Sequence, residues 1–293
     1  MNSMEELSFV KDYINKLHAN HGPDAGHFDE ILNFVNKIDP EDIDFFRDAM
    51  KPILNPNTII GFSFTKPFGY NGDFFIIEKI YQQYVNPDEK YKKWDSFFHK
   101  LPAAIAVINR KKLAIKIFEE YQNKHTSSDK NVLILGSGPV TEVFEYLSQN
   151  PQSPLIYDLL DLDKRAIQYA KVKTKQFSHK LTFYNKNVIR YTPGANYDLI
   201  WSAGLFDYFK DKHFVYLLKK YYQFLNDGGE LIIGNFNVEN PSRKIMEILG
   251  DWFLYHRSKD ELYKFATQAG IPAEKVEVIS EPLGINLFLR VSK

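Results

Sequence analysis

Asn131-Val132-Leu133-Ile134-Leu135-Gly136-Ser137-Gly138-Pro139 is the stretch on which the reading of this chain turns. The run up to Leu135 is short, apolar and closed by a turn, so it reads as a buried strand. Gly136 and Gly138 stand in that turn, where any side chain would hold a ligand away from the backbone. Residues 140–148 then read as a helix. In a doubly wound sheet, ligands sit beyond the carboxyl ends of the strands, and the turn after the first strand is a usual contact. The third glycine of the dinucleotide pattern is missing, its place held by Val140. A Gly-x-Gly turn alone is equally a plain strand–helix connection.

Downstream of this stretch, strands and helices alternate. Residues 155–160, 181–184, 197–203 and 230–236 read as strands. Residues 164–176, 211–225, 242–255 and 259–270 read as helices, and 275–281 and 286–291 as two late strands. That order predicts a Rossmann-like α/β fold: a seven-stranded, mostly parallel sheet covered on both faces and closed by an antiparallel C-terminal hairpin. Upstream, residues 7–17 and 31–38 place apolar side chains on one helical face. Asp39-Pro40 suits a helix start, and helix resumes over 73–84 and 91–121. The upstream part therefore reads as an all-helical domain over residues 1–125, joined to a sheet domain over 126–293 by the polar segment 125–130.

Lys and Arg together number 37, as do Asp and Glu, so no excess positive charge drives counterion release on nucleic acid. Cysteine is absent, which removes disulfides, thiolate metal sites and thiolate nucleophiles, and with them cytosine-C5 methylation. The first residues are acidic and helical in period, unlike a signal peptide. The longest apolar stretch, 101–108, is far shorter than a membrane span needs and contains Pro102. The chain reads as cytoplasmic, with no membrane span, no nucleic-acid partner and a small molecule as substrate; its oligomeric state is open. The 24 Phe and 18 Tyr make either a bulky core or walls of an apolar pocket.

Asp161 ends the second predicted strand. A carboxylate there accepts two hydrogen bonds from a ribose diol. It also suits a helix cap, but Asp163 is better placed for that. Asn187 follows the third strand, where an amide can read an adenine edge. These positions, with Ser137, Leu162, Val188 and the segment Ser202-Ala203-Gly204 after the fourth strand, form an expected adenosine site. A pyrophosphate needs a close third glycine, which Val140 replaces. S-adenosylmethionine, whose product is S-adenosylhomocysteine, carries no phosphate and tolerates the looser turn.

The stretches 131–139, Leu159-Leu160-Asp161-Leu162-Asp163, 197–208 and 225–231 resemble class I S-adenosylmethionine-dependent methyltransferases. Lys66-Pro67-Phe68-Gly69-Tyr70-Asn71-Gly72-Asp73 and Asn109-Arg110 are similar to stretches of the bacterial 3-hydroxypalmitic acid methyl ester synthase-like family. The resemblance covers roughly residues 60–293. It implies methyl transfer to a small molecule and a helical cap over the cofactor. Many members carry an acid two positions before the first glycine, and here that position is Ile134. The cofactor's ammonium then needs another acceptor, such as the Gly136 carbonyl. Asp73 can face it, with Lys66 or Arg110 facing the carboxylate; alternatively, Asp73 only caps the following helix.

Methyl transfer from a sulfonium is an in-line displacement, so alignment and water exclusion are the main tasks. A carboxylate acceptor is already ionised at neutral pH and needs no base. The eight His show no ligand spacing, so no metal is expected. Ser202-Ala203-Gly204-Leu205 lacks the Pro-Pro-aromatic signature of adenine-N6 and glutamine methylation. Tyr70, between two glycines, and Tyr208 are the expected catalytic-site tyrosines. Phe206, Tyr208, Trp252, Tyr255 and Arg257 are the expected substrate wall, with Arg257 able to pair with an acid bidentately or to serve only as a surface ion pair. The expected activity is O-methylation of a carboxylate such as a hydroxy fatty acid. The alternatives are O- or N-methylation of another metabolite, or a non-catalytic cofactor-binding sensor or assembly protein.

Overall fold

The structure, a computed structural model, describes residues 4–124 and 130–293. Its helices are α1 (Met4–Ala19), α2 (Phe28–Lys37), α3 (Ile43–Met50), α4 (Ile59–Thr65), α5 (Phe74–Tyr81), α6 (Glu89–Lys100), α7 (Pro102–Lys124), α8 (Thr141–Gln149), α9 (Lys164–Lys173), α10 (Asp211–Tyr222), α11 (Arg243–Leu249) and α12 (Lys259–Gln268). Its strands are β1 (Lys130–Leu135), β2 (Leu155–Asp161), β3 (Leu181–Asn185), β4 (Tyr197–Ser202), β5 (Leu225–Phe236), β6 (Val276–Ser280) and β7 (Asn286–Ser292). The sheet order is β3-β2-β1-β4-β5-β7-β6. β1 to β5 pair in parallel, and β7 runs antiparallel between β5 and β6. The expected seven-stranded sheet with its closing hairpin is what the chain forms. No helix among the described residues is long and apolar enough to cross a membrane.

Side chains alternate between the two faces of each strand. Val132 and Ile134 of β1 face Ala114, Ile117 and Phe118 of α7 and Val143, Tyr146 and Leu147 of α8. Leu133 and Leu135 face the other way, onto Phe214, Leu217 and Leu218 of α10 and Leu262 and Phe265 of α12. Gly234 of β5 bears no side chain, and a Cβ there would meet the Ala203 carbonyl oxygen at 2.4 Å and the Phe288 ring at 3.0 Å. Beside that gap Trp201 of β4 and Phe288 of β7 stack, with centroids 5.3 Å apart and planes at 17°. At the amino edge of the sheet, Tyr121 of α7 donates to Glu230, which also pairs with Arg290.

The chain forms two compact units. One holds Met1–Ile105 and Pro241–Phe253; the other holds Ala106–Asn240 and Leu254–Lys293. The domain boundary expected at residues 125 and 126 lies outside the described residues. The units divide after Ile105, because the face of α7 from Ala114 to Tyr121 is part of the sheet's core. Two helices replace the one expected over 91–121. Leu101 is extended at ψ 130°, as a residue before proline must be, and Pro102 starts the next helix.

The helix expected over 242–255 is only α11, ending before Gly250 and Asp251, the latter at φ 45°. Its last turn is tied within the helical unit. Arg47 donates to the Ile248 carbonyl at 2.7 Å, and Ser63 to the Gly250 carbonyl at 2.8 Å. These bonds meet carbonyls that a helix end leaves open.

Candidate functional site

The sheet unit gathers its polar groups at the carboxyl edge of β1, β2 and β4. Gly136 and Gly138 both adopt left-handed φ, 66° and 53°. Val140 does too, at φ 59°, so the backbone keeps a shape that glycine favours without the residue. The N–H groups of Gly136 and Ser137 both donate to the Leu160 carbonyl, at 2.9 and 3.0 Å. Ser137 is buried, and its Oγ has no partner among the described residues.

Asp161 ties this turn to the end of β2. One carboxylate oxygen accepts the Gly138 N–H at 2.8 Å, and the other accepts the Asp163 N–H at 2.9 Å. The carboxylate is therefore engaged before any ligand arrives. The lone pairs that these N–H groups leave are open to an external donor. Burial raises its pKa against these two N–H groups and that of Leu162, which lower it. Asp163 caps α9 through the Arg165 N–H, as its position suggests. Leu162 beside it is 67% exposed, an apolar platform at the strand end.

Asn187 accepts the Ile189 N–H at 2.8 Å with its side-chain oxygen, forming a local turn. Its neighbour Val188 is buried in the core. Asn185, which the sequence did not single out, donates to the carbonyls of Asp161 and Leu162 and so holds two strand ends together. Ser202 is buried and donates to the Leu135 carbonyl at 3.0 Å, joining β4 to β1.

Next to Ser202 and Ala203, Gly204 has a definite steric role. A Cβ there would lie 2.6 Å from Nη1 of Arg110. Arg110, on α7, is 6% exposed, so its guanidinium reaches the loop after β4 through the space that glycine leaves. Glu142 and Asp207 both feel its positive charge. Glu142 is buried in the first turn of α8, and burial raises its carboxyl above the ordinary range. Asp207 is also buried; desolvation pushes its carboxyl up to about 6 despite the Phe236 N–H at 2.6 Å and the nearby Arg110 and Arg257. The sequence places Asp207 with Phe206 and Tyr208 beside the expected substrate without showing its burial, and it does not single out Glu142.

Two expected substrate contacts are corrected by burial. Phe206 is fully buried, edge-on to Phe214 with centroids 5.0 Å apart, and belongs to the core under α10. Arg257 is 1% exposed and neither a surface ion pair nor placed for a substrate. Its guanidinium donates to the carbonyls of Phe206 and Phe209, to Asn235 at 2.7 Å and to Asp211 at 3.0 Å. Tyr208 and Tyr255 are each more than a third exposed, and the Tyr255 N–H binds the Asp207 carbonyl.

The remaining expected residues belong to the helical unit. Asp73 caps α5, accepting the Phe75 and Ile76 N–H groups with one oxygen at 2.8 and 3.0 Å. Lys66, expected to face a cofactor carboxylate, pairs with Asp251 of its own unit. Tyr70 is 39% exposed in the turn between Gly69 and Gly72, both at positive φ. Trp252 is buried, with its N–H on the Met246 carbonyl. Among the described residues no three His, Asp or Glu side chains gather as a metal site.

Neither a family profile nor a curated protein matches the sequence. Solved structures do match in fold. A protein from Bordetella parapertussis, described as a possible exported protein, aligns at TM-score 0.64 and 13% identity over 75% of this chain and 79% of its own. A candidate O-methyltransferase from Nostoc punctiforme aligns at 0.53 and 14% over 84% and 71%. Magnesium protoporphyrin IX methyltransferase from Synechocystis, solved with S-adenosylhomocysteine, aligns at 0.50 and 12% over 64% and 85%. The shared feature is the class I methyltransferase fold.

Proposed function

We propose that this chain, which has the class I methyltransferase fold, is an S-adenosylmethionine-dependent methyltransferase of a small-molecule acceptor. The observation that carries the reading is the junction of the glycine turn with Asp161. The left-handed turn, the doubly tethered carboxylate and the exposed Leu162 stand together beyond β1 and β2, where an adenosine is held in such sheets. The residues present fit the cofactor. Ser137 offers an unmet hydroxyl, Asp161 has lone pairs for a ribose diol, and Leu162 can underlie the adenine. Asn187 can read the adenine edge, the Ser202–Gly204 backbone can border the sulfonium, and Arg110 can balance the methionine carboxylate.

When bound, the cofactor supplies an electrophilic methyl group. The chain's own residues bind, orient and exclude water. Asp161 keeps the glycine turn closed against β2, which sets the backbone that meets the ligand. Gly204 lets Arg110 present a fixed positive charge at the end of β4. The acceptor we favour is a carboxylate, such as that of a hydroxy fatty acid, in keeping with the sequence resemblance. It is ionised at neutral pH and asks the protein for alignment rather than a base.

Two experiments test this reading. Asp161→Ala is expected to stay folded and to bind S-adenosylmethionine and S-adenosylhomocysteine about ten- to a hundredfold more weakly, the worth of hydrogen bonds to a charged group. Calorimetry giving wild-type affinity would discard the site. Incubation with methyl-labelled cofactor and a panel of carboxylic acids should yield alkali-labile methyl esters. Label appearing only in alkali-stable products would discard the carboxylate.

A further inference from the structure

Lys79 stands in the second turn of α5, half-buried, and its side chain ends among three aromatic rings of the helical unit. Its Nζ lies 5.0 Å from the Phe62 ring centroid, 5.5 Å from that of Phe75 and 4.7 Å from that of Tyr84. Each ring is there for a local reason. Phe75 precedes Lys79 by four residues, one turn of the same helix. Phe62 projects from α4 and packs on Phe75 with centroids 5.8 Å apart. Tyr84 is turned back by Gln83, at φ 49°, and its N–H donates to the Lys79 carbonyl at 2.9 Å. Among the described residues the Lys79 ammonium has no hydrogen bond and no ion pair. Asp73 and Asp95 act on it only through their charge. Their carboxylates accept backbone N–H groups, Asp73 those of Phe75 and Ile76, Asp95 those of Ile59 and Asn86. Burial holds the Lys79 pKa below the ordinary lysine value, so more neutral amine is present than on an open lysine.

A bare ammonium carries three N–H donors, each of which wants an acceptor. Ring faces attract a cation but accept an N–H only weakly. A methylated ammonium suits the same rings better. Methylation keeps the charge, and the methyl groups need no acceptor. Acetylation would instead remove the charge that the rings attract. Three rings with no acceptor are therefore the surroundings of a methylated amine rather than a bare one. We propose that Lys79 is an N-methylation site of this chain, with Phe62, Phe75 and Tyr84 as the cage that retains the methylated ammonium. The methyl group is supplied by the chain's own transferase activity, so the inference rests on the methyl-transfer reading above and adds a protein amine to its acceptors. Each transfer balances. The Lys79 ammonium gives a proton to water, and its neutral Nζ then bonds the methyl carbon of S-adenosylmethionine. The carbon–sulfur bond breaks with its electron pair left on sulfur, the positive charge passes to nitrogen, and S-adenosylhomocysteine departs.

Two measurements on the full chain test it. The first needs no activity. The chain has no cysteine, so Lys79→Cys introduces a single thiol that can be alkylated alone. Bromoethylamine converts it to a lysine analogue, and bromoethyl-trimethylammonium to the trimethylated analogue. The trimethylated protein should melt about 2 °C above the amine form. Equal or lower melting would show that the rings do not favour a methylated amine and would overturn the proposal. The second incubates the wild type with S-adenosylmethionine labelled in its methyl group and no other acceptor, followed by peptide mapping. Label is expected on Lys79, and label over the whole chain should be almost lost in Lys79→Arg, which keeps a cation among the rings. Label confined to other residues, or absent from a chain that binds S-adenosylhomocysteine in calorimetry, would overturn the proposal and leave the cofactor reading standing. A chain that binds no S-adenosylhomocysteine would sink the methyl-transfer reading and take the proposal with it.

Discussion

Asp207 shows how a single buried acid makes stability depend on pH. Its folded pKa of about 6 lies above the ordinary carboxylate value, so the native state holds the proton more tightly than the unfolded chain does. Stability contributed by the protonated form is therefore full below about pH 4 and lost as pH rises through about 6. Asp207→Asn keeps an oxygen for the Phe236 N–H and removes the charge. The variant should be more stable than wild type at pH 8, by on the order of 3 kcal/mol, and no more stable at pH 4. Denaturant unfolding at both pH values checks this; an equal difference at the two would discard it. Gly136, Gly138 and Asp161 were legible in the sequence because a turn over a ligand demands particular residue types. The burial of Glu142 and Asp207 was not, because it depends on partners distant in the chain. Arg257 misled for the same reason: its acceptors Asn235 and Phe206 stand 22 and 51 residues away.

At the scale of elements, the alternation of apolar runs and helical periods sufficed for the sheet. Ends were harder, since they are set by local exceptions. Pro102 divides one predicted helix into α6 and α7, and the last turn of α11 is closed by Arg47, 201 residues earlier in the chain. The segment from Phe206 to Asp211 is likewise positioned from afar. Arg257 ties its carbonyls and Asp211 to Asn235 at the end of β5, and its guanidinium lies 4.8 Å from the Phe214 ring centroid. Arg257→Met should lower stability by roughly 3–5 kcal/mol, the cost of breaking a buried charged network. Arg257→Lys should recover little, because an ammonium lacks the planar fork. Urea unfolding midpoints within experimental error of wild type would show that the network carries little stability.

Over the whole molecule, α7 is the element that the sequence reading placed in the helical domain and whose apolar face packs on the sheet. A polar linker after it suggested that it closed the helical domain, yet Ala114, Ile117, Phe118 and Tyr121 complete the core over β1, β2 and β4. A fragment covering 130–293 should therefore expose Val132, Ile134 and Trp201. It should bind a hydrophobic dye and lose its near-ultraviolet circular dichroism. A fragment with the full chain's near-ultraviolet spectrum would show that α7 is dispensable. The other crossing of the boundary is made by Pro241–Phe253, which returns to the helical unit after β5. During synthesis that unit is left waiting. Its first 105 residues leave the ribosome early, but its closing helix follows only after five strands of the sheet, roughly seven to thirty seconds later at ordinary elongation rates. Over that interval the carbonyl acceptors of Arg47 and Ser63 do not yet exist, so the nascent helices present a seam that a chaperone, or a neighbouring nascent chain, can reach first.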